Sequence, residues 1–482
     1  MPRTLETGLK DRARSLLLTF PVLLMLTCGR TETPPERPNF VLILADDLGW
    51  ADVGYQGSTF HRTPCIDALA HDGLSFSQAY AAAPVCTPAR AALFTGCSPA
   101  RLHITTVYGE NTPLEDVEDR LDEGAPGTLV APAVRERLPV GLPTLASSLR
   151  ELGYRTALIG KWHLAPAPHA VGFDVQIGAS PAGAVASHFS PYGVPTLRDG
   201  PPGEYLTDRL TDEALRFLRE NRGRPFLLVL SHYAPHTPLQ APPELVDEYR
   251  ARVDPRSPQR NPLYAAMIER LDASVGRVRA ELERLILTEQ TLLVFTSDNG
   301  AFEGNRATRR SSAEEEPVTS NLPLRSGKGR VYEGGLRVPM VAWGGLVRNT
   351  GRCSVPVIGT DLCPTMLALA RHAPLATSDG CDLTPLLTGH GTLERDALYF
   401  HFPHESFASA LRSGDEKLVY SWRKERDELY DLGADPGEEH DLAAERPERV
   451  AELERELFAW LDAVGADRPV RRAPKESAAP PR

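Results

Sequence analysis

The chain has 482 residues, 41% of them hydrophobic, and a formal net charge of -11. Wholesale disorder is excluded, and the length suffices for one large domain with a smaller one beside it. The acidic balance argues against nucleic acid as a partner, which needs a basic face, but leaves room for a small anion in a local basic pocket.

The first residues read as a targeting segment. Arg3, Lys10, Arg12 and Arg14 precede an apolar run over 15–26, too short to span a bilayer as a helix. The Pro-rich stretch 33–38 argues against a core helix. Cys28, after Leu26-Thr27, resembles a bacterial lipoprotein signal, although Thr27 is a poor residue before the Cys. Cleavage and lipidation both stay open. We assign 1–27 to a signal peptide and 28–38 to a linker. We expect export to the periplasm or the extracellular space, with membrane attachment only through a lipid anchor at Cys28. The seven cysteines, Cys28, Cys65, Cys86, Cys97, Cys353, Cys363 and Cys381, show no paired metal-ligand spacing. Export would permit disulfides, and Cys353 with Cys363 is the one pairing suggested.

Residues 39–44 are apolar on both faces, which predicts a buried parallel strand ending in Asp46-Asp47. A helix over 63–73 and a strand over 74–80 follow. Then comes Cys86-Thr87-Pro88-Ala89-Arg90. Pro88 suits a first helical turn, so Cys86 stands at a helix mouth with Arg90 one turn on. Free N–H groups and the positive dipole end there suit an anion. A buried packing cysteine is the plain alternative. Further on we expect a helix over 142–152, a strand over 154–160 leading into Lys161-Trp162-His163, a helix over 207–220, and a strand over 225–232 before His236. Leu263, Met267, Leu271, Val275, Val278, Leu282 and Leu285 mark a long amphipathic helix, and a strand over 291–296 ends in Ser297-Asp298-Asn299-Gly300. Stretches 110–136 and 306–321 read as solvated loops that can also wall a cleft. After about Gly391 four short hairpin-like strands and a helix over 445–463 follow. We place a main domain at 39–390, an antiparallel subdomain at 391–465, and a disordered tail at 466–482.

The fold class expected is α/β, a large mostly parallel or mixed sheet sandwiched by helices, with a smaller C-terminal antiparallel α+β subdomain. Open α/β sheets place their sites at strand C-terminal ends. Asp46, Asp47, Asp298 and Asn299 there make an oxygen-rich set suited to Ca²⁺ or Mg²⁺ rather than Zn²⁺. Lys161, Lys328, Arg90, His163 and His236 add a pocket for a tetrahedral oxyanion. Singly, each has a dull alternative. The Asp pair can cap a helix, Ser297-Asp298-Asn299-Gly300 is good turn chemistry, Lys161 can be a surface lysine, His163 a satisfied histidine, and His236 a residue held between Pro235 and Pro238. Their joint occurrence at successive strand ends is harder to explain that way.

Together with Thr95-Gly96-Cys97-Ser98-Pro99-Ala100-Arg101, Gly327-Lys328-Gly329 and Leu429-Tyr430-Asp431-Leu432, this ordered set resembles the type I, formylglycine-dependent sulfatases of the alkaline phosphatase superfamily. The resemblance covers almost everything after Pro38. It implies oxidation of Cys86 to formylglycine by a formylglycine-generating or other sulfatase-maturation enzyme, the hydrated aldehyde being the nucleophile. It implies one divalent cation, Ca²⁺ before Mg²⁺, on Asp46, Asp47, Asp298, Asn299 and the modified Cys86. Arg90 would steady the modified residue, Lys161 and Lys328 would bind sulfate oxygens, His163 would hydrogen-bond the hydrate, and His236 would protonate the leaving alcohol. The substrate implied is a sulfated small molecule or glycan. The alternatives are a phosphonate or phosphate ester hydrolase, disfavoured by Asn299 after Asp298, and a non-catalytic oxyanion-binding homologue. The resemblance puts specificity in loops and the C-terminal subdomain, with His188, His401, His404 and Arg412 as candidates for a sugar-facing rim or as ordinary structural residues.

Overall fold

The computed structural model describes residues 37–107, 128–304 and 317–472. The signal peptide with Cys28, the stretches 108–127 and 305–316, and residues 473–482 lie outside the described residues. Fifteen strands occur among the described residues. In chain order they are β1 (Asn39–Ala45), β2 (Leu74–Tyr80), β3 (Thr128–Val130), β4 (Arg155–Gly160), β5 (Val175–Ile177), β6 (Phe226–Ser231), β7 (Thr291–Ser297), β8 (Arg337–Trp343), β9 (Gly351–Cys353), β10 (Val357–Ile358), β11 (Leu398–Phe402), β12 (Ala408–Ser413), β13 (Glu416–Ser421), β14 (Arg426–Asp431) and β15 (Val470–Arg472).

Nine of them build the main sheet, ordered β10-β2-β8-β7-β1-β6-β4-β5, with β9 also on β2. All pairings are parallel except those of β8, which runs antiparallel to both β2 and β7. β1 is central because it is apolar on both faces. Phe40, Leu42 and Leu44 enter one core layer, while Val41, Ile43 and Ala45 enter the other. Fully burying such a Leu or Ile contributes about 1.5–3 kcal/mol, so a one-residue slip of β1 would be costly.

Helices cover both faces. The helix Pro262–Arg284 starts where Asn261 Oδ1 accepts from the N–H groups of Leu263 and Tyr264, and Pro262 fills its first position. Tyr264, Ile268, Leu271, Val275, Val278 and Leu282 form its buried stripe. On the opposite face the helix Cys86–Thr95 has all ten side chains buried and stops at Gly96, whose φ of 71° allows its N–H to reach the Ala92 carbonyl.

β11 to β14 form a four-stranded antiparallel meander. Leu411, Leu418 and Leu429 on one face receive Leu453, Leu457 and Leu461 of the helix Pro447–Ala463. The other face, with Phe400, Phe402, Ala410, Val419 and Tyr430, packs on Tyr80, Val85, Ala92, Val331 and Leu336. The small sheet therefore leans on the segments that flank Cys86 and Lys328.

Several expectations need correction. Cys353 and Cys363 are both free; Cys353 closes strand β9 while Cys363 is buried in the helix Leu362–Leu369. Part of the supposed tail is ordered, because β15 pairs with β3, Val470 opposite Val130. Ladder hydrogen bonds can order a polar segment whose composition reads as disordered. That pairing also makes the end of the supposed 110–136 loop a strand. Residues 317–321 are tied in as well: Thr319 Oγ1 donates to Asp52 Oδ1 at 2.8 Å, and Asn321 Nδ2 to the Ala301 carbonyl at 3.2 Å. Among the described residues no helix is long and apolar enough to cross a membrane.

Candidate active site

Four adjacent strands deliver the site. Register places Ala45 beside Ser297, Leu44 beside Ser231, and Gly160 beside Ser231. Ladder bonds continue past the strand ends: Asp298 N–H donates to the Ala45 carbonyl at 3.2 Å, Lys161 N–H to Ser231 at 2.7 Å, and Asp46 N–H to Ala234 at 3.1 Å. The residues after β1, β4, β6 and β7 are thus forced into one place. Asp47 and His163 take positive φ, 64° and 55°, a backbone state that recurs at functional sites.

Cys86 is the first residue of its helix and 1% exposed. Its Sγ lies 3.5 Å from Asp46 Oδ1 and 3.8 Å from Asp47 Oδ1. Lys161 Nζ is 3.6 Å away and Lys328 Nζ 3.4 Å. Lys161 is not a surface lysine. It is fully buried and bonds both oxygens of Asp46, at 2.8 and 2.6 Å. Lys328 reaches Asp47 at 2.8 Å. Arg90 turns back along its helix; its Nε and Nη2 each lie 2.8 Å from Asp298 Oδ2. Its Nη1 donates to the Lys161 carbonyl at 3.0 Å and to Ser231 Oγ at 2.8 Å. Three carboxylates thus face three cationic groups in a buried volume, where charges are tolerated only when paired.

These pairings set the ionisation. Burial alone would raise Asp46, but Lys161, His236 and Arg90 outweigh it and hold the carboxyl far below its usual range. Asp47 is likewise lowered, burial being overcome by Lys328 and His236. Asp298 goes the other way, burial prevailing over Arg90. Burial pushes the Cys86 thiol well up in spite of Lys161 and Lys328. Burial, then Lys161 and Arg90, push His163 far down, so its ring is neutral.

The donor set suits a hard cation. Asp46, Asp47, Cys86 and His236 each place one ligand atom within 4.8 Å of the others. Asn299 Nδ2 donates to Asp47 Oδ1 at 2.7 Å and to the Gly300 carbonyl at 3.0 Å. That leaves Asn299 Oδ1 buried without a hydrogen-bond partner, an acceptor that a cation would satisfy. Asp298 is more engaged than the sequence suggested, since its other oxygen accepts from the Asp47 N–H at 3.2 Å. His236 Nδ1 meets the Thr237 carbonyl at 2.7 Å. A carbonyl only accepts, so Nδ1 carries the proton and Nε2, 3.6 Å from Asp47 Oδ2, faces the site.

The supposed rim residues are not on a rim. His188 is 1% exposed and its Nε2 supports the His236 carbonyl at 3.3 Å. His401 is held between Ser409 Oγ and the Asp467 carbonyl. His404 meets Thr105 Oγ1 at 2.8 Å. Arg412 is buried on Tyr80 and Gln78. Burial and these contacts make them structural, although Nδ1 of His188 and of His404 is buried without a hydrogen-bond partner. The sequence reading missed Ser231, Ser297, Thr87 and Tyr264. Ser297 Oγ accepts from Leu48 N–H at 2.9 Å, Thr87 Oγ1 donates to the His163 carbonyl at 3.1 Å, and Tyr264 OH to the Asp47 carbonyl at 2.9 Å. A serine closing an otherwise apolar strand is the signal that would have found Ser231 and Ser297.

Residues 38–372 match the family model described as Sulfatase, and 327–465 match N-sulphoglucosamine sulphohydrolase, C-terminal. The chain belongs to the sulfatase family. Arylsulfatase A of Homo sapiens is 31% identical over 512 residues, covering 92% of this chain and 91% of the relative. N-acetylgalactosamine-6-sulfatase of Homo sapiens is 33% identical over 400 residues, with coverage of 76% and 69%. A solved structure of Ps i-CgsB in complex with k-i-k-neocarrahexaose superposes with a TM-score of 0.71 at 29% identity, covering 88% of this chain and 93% of that one. This sulfatase is a sulfuric ester hydrolase, and its family implies a divalent metal and formylglycine in general; among the described residues Asp46, Asp47, Cys86 and His236 form a group that could hold a metal ion.

Proposed function

We propose that this sulfatase removes sulfate from a sulfated carbohydrate, with Cys86 as the precursor of its nucleophile. The observation that carries the reading is the state of Cys86. Its thiol is buried, pushed up in pKa, and set between two lysines and two aspartates. A thiol so raised is a poor nucleophile, whereas the surroundings are those an oxyanion needs. Oxidised to formylglycine, Cys86 would supply a hydrated aldehyde, one hydroxyl to attack sulfur and a second to let the aldehyde re-form. At 1% exposure in the folded chain, Cys86 suits a maturation enzyme that reads Cys86, Pro88 and Arg90 before or during folding.

Asp46, Asp47, Asp298, Asn299 and the modified Cys86 would hold one Ca²⁺, which would lower the pKa of a bound hydroxyl and offset repulsion between nucleophile and sulfate. Lys161 and Lys328 would bind sulfate oxygens and stabilise charge that builds on them. Arg90 holds Asp298 and the helix start in register. His163, neutral and with Nδ1 buried and unpartnered, would accept or donate to the hydrate. His236, with Nδ1 fixed by the Thr237 carbonyl, would present Nε2 to the leaving oxygen as the acid. Sugar-directed relatives, such as N-acetylgalactosamine-6-sulfatase, support a carbohydrate substrate. The basic and apolar N-terminal residues support export, with Cys28 as the site of any lipid anchor.

The test is sulfate release from a panel of defined sulfated mono- and oligosaccharides, with a mass measurement at Cys86. Formylglycine at Cys86 and release abolished in Cys86→Ala are expected. Multiple turnover by Cys86→Ala, or hydrolysis of phosphonate monoesters and of no sulfate ester, would overturn the reading.

A further inference from the structure

His163 is held in a backbone state that a non-glycine residue keeps only where its surroundings fix it, with φ at 55°. Two contacts fix the backbone. The His163 N–H donates to the Ser180 carbonyl at 3.0 Å. The His163 carbonyl accepts from Thr87 Oγ1 at 3.1 Å, one residue after Cys86.

The ring is buried as well, and a glycine packs on it. A Cβ built on Gly183 would stand 2.5 Å from His163 Cε1, 2.7 Å from Nε2 and 3.2 Å from Nδ1. The Gly183 backbone therefore lies against the part of the imidazole that carries both nitrogens. The segment that bears Gly183 is anchored on both sides. Tyr233 OH donates to the Gly178 carbonyl at 2.9 Å, Thr196 Oγ1 donates to the Ala179 carbonyl at 2.6 Å, and Val185 is buried in the core. Pro181, Ala182 and Ala184 beside Gly183 are exposed, so this stretch lies between the ring and solvent.

We propose that Gly183 is a positioning residue for the sulfatase reaction: by lacking a Cβ it lets segment 180–183 clamp the His163 imidazole in the orientation from which it serves the residue derived from Cys86. Any larger residue overlaps the ring, and because the segment is anchored, the ring must give way. The inference rests on the reading of His163 as the partner of the hydrate, after the alcohol has left. There the free hydroxyl would give its proton to His163, the aldehyde C=O would form, and the C–O bond to sulfate would break, sulfate taking the electron pair.

The contact is tested by thermal unfolding of the full chain as wild type, Gly183→Ala, His163→Ala and the double variant. Gly183→Ala should lower Tm by about 1–4 °C beside the intact ring and cause no loss in the His163→Ala background, where the ring is gone. Equal losses in both backgrounds would overturn the proposal. The role is tested on the matured, metal-loaded enzyme with 4-nitrophenyl sulfate. Gly183→Ala should lower kcat about tenfold or more and KM with it, leaving kcat/KM little changed, since that ratio covers steps only up to release of the nitrophenolate. A burst of nitrophenolate should appear. In the His163→Ala background Gly183→Ala should leave kcat within about twofold. An unchanged kcat, or a fall in kcat/KM as large as that in kcat, would overturn the positioning role. No turnover by wild type would remove the sulfatase reading and the positioning role with it, while the unfolding cycle would still report the contact.

Discussion

Arg90 and Asp298 form a fully buried pair, two guanidinium nitrogens each 2.8 Å from one carboxylate oxygen. The pair joins the helix that begins at Cys86 to the residue after β7, so it fixes the distance between Cys86 and the acidic cluster. Arg90→Met leaves Asp298 buried without its partner. Unfolding in urea should show a loss of about 3–5 kcal/mol, and sulfate release should vanish. Arg90→Lys, which loses the two-pronged geometry, should fold better than Arg90→Met yet stay strongly impaired.

Calcium should stabilise this enzyme. A cation that binds only the folded state adds about 2.7 kcal/mol at a hundred times its dissociation constant. Thermal unfolding with and without Ca²⁺ should show the shift in wild type and lose most of it in Asn299→Ala, which deletes the unpartnered buried oxygen. Equal shifts in both proteins would remove Asn299 from the ligand set.

His236 should matter in proportion to the difficulty of the leaving group. Protonation of the departing oxygen is worth about 100-fold or more for a poor leaving alcohol and little for a nitrophenolate. In His236→Ala, kcat on a sugar sulfate should therefore fall far more than kcat on 4-nitrophenyl sulfate. A uniform fall across esters would contradict the role of acid.

Acid should act through His232, buried with Nε2 2.9 Å from Ser274 Oγ. Burial lowers its pKa from 6.5 to about 3. Above pH 6.5 neither state binds the proton; below it the unfolded chain does and the folded one does not, until about pH 3. The contribution to stability is thus complete above that upper value and lost going down, at about 1.4 kcal/mol per pH unit. Urea unfolding across this window should show His232→Gln losing less stability with falling pH than wild type.

Lys417 on β13 lies buried between Glu333 and Glu438, 2.9 and 2.8 Å away. Glu333 stands five residues past Lys328 and also accepts from Tyr80 OH at 2.7 Å. Lys417→Met should cost about 3–5 kcal/mol by stranding two carboxylates. It should also raise KM through the loosened Lys328 segment, with Lys417→Arg restoring part of both.

What the linear order of residues determined was local. Apolar runs on both faces marked β1, β6 and β7, helical spacing marked Pro262–Arg284, and polar residues at run ends marked the site, because burial and periodicity act between near neighbours in sequence. The roles of the motif residues were legible only through the resemblance of their ordered set to a known family. Only the tertiary structure decided that β7, β1, β6 and β4 are adjacent, that β8 is reversed, and that residues 470–472 join β3. Strand order and edge pairing depend on long-range hydrogen bonds that composition does not record. The same holds for burial of charge. His188, His401, His404 and Arg412 read as candidates for a sugar-facing rim or as structural residues, and their burial decides for the second. Whether a polar side chain is a partner or a surface is settled by what packs across from it, and the C-terminal sheet packs across from Cys86 and Lys328.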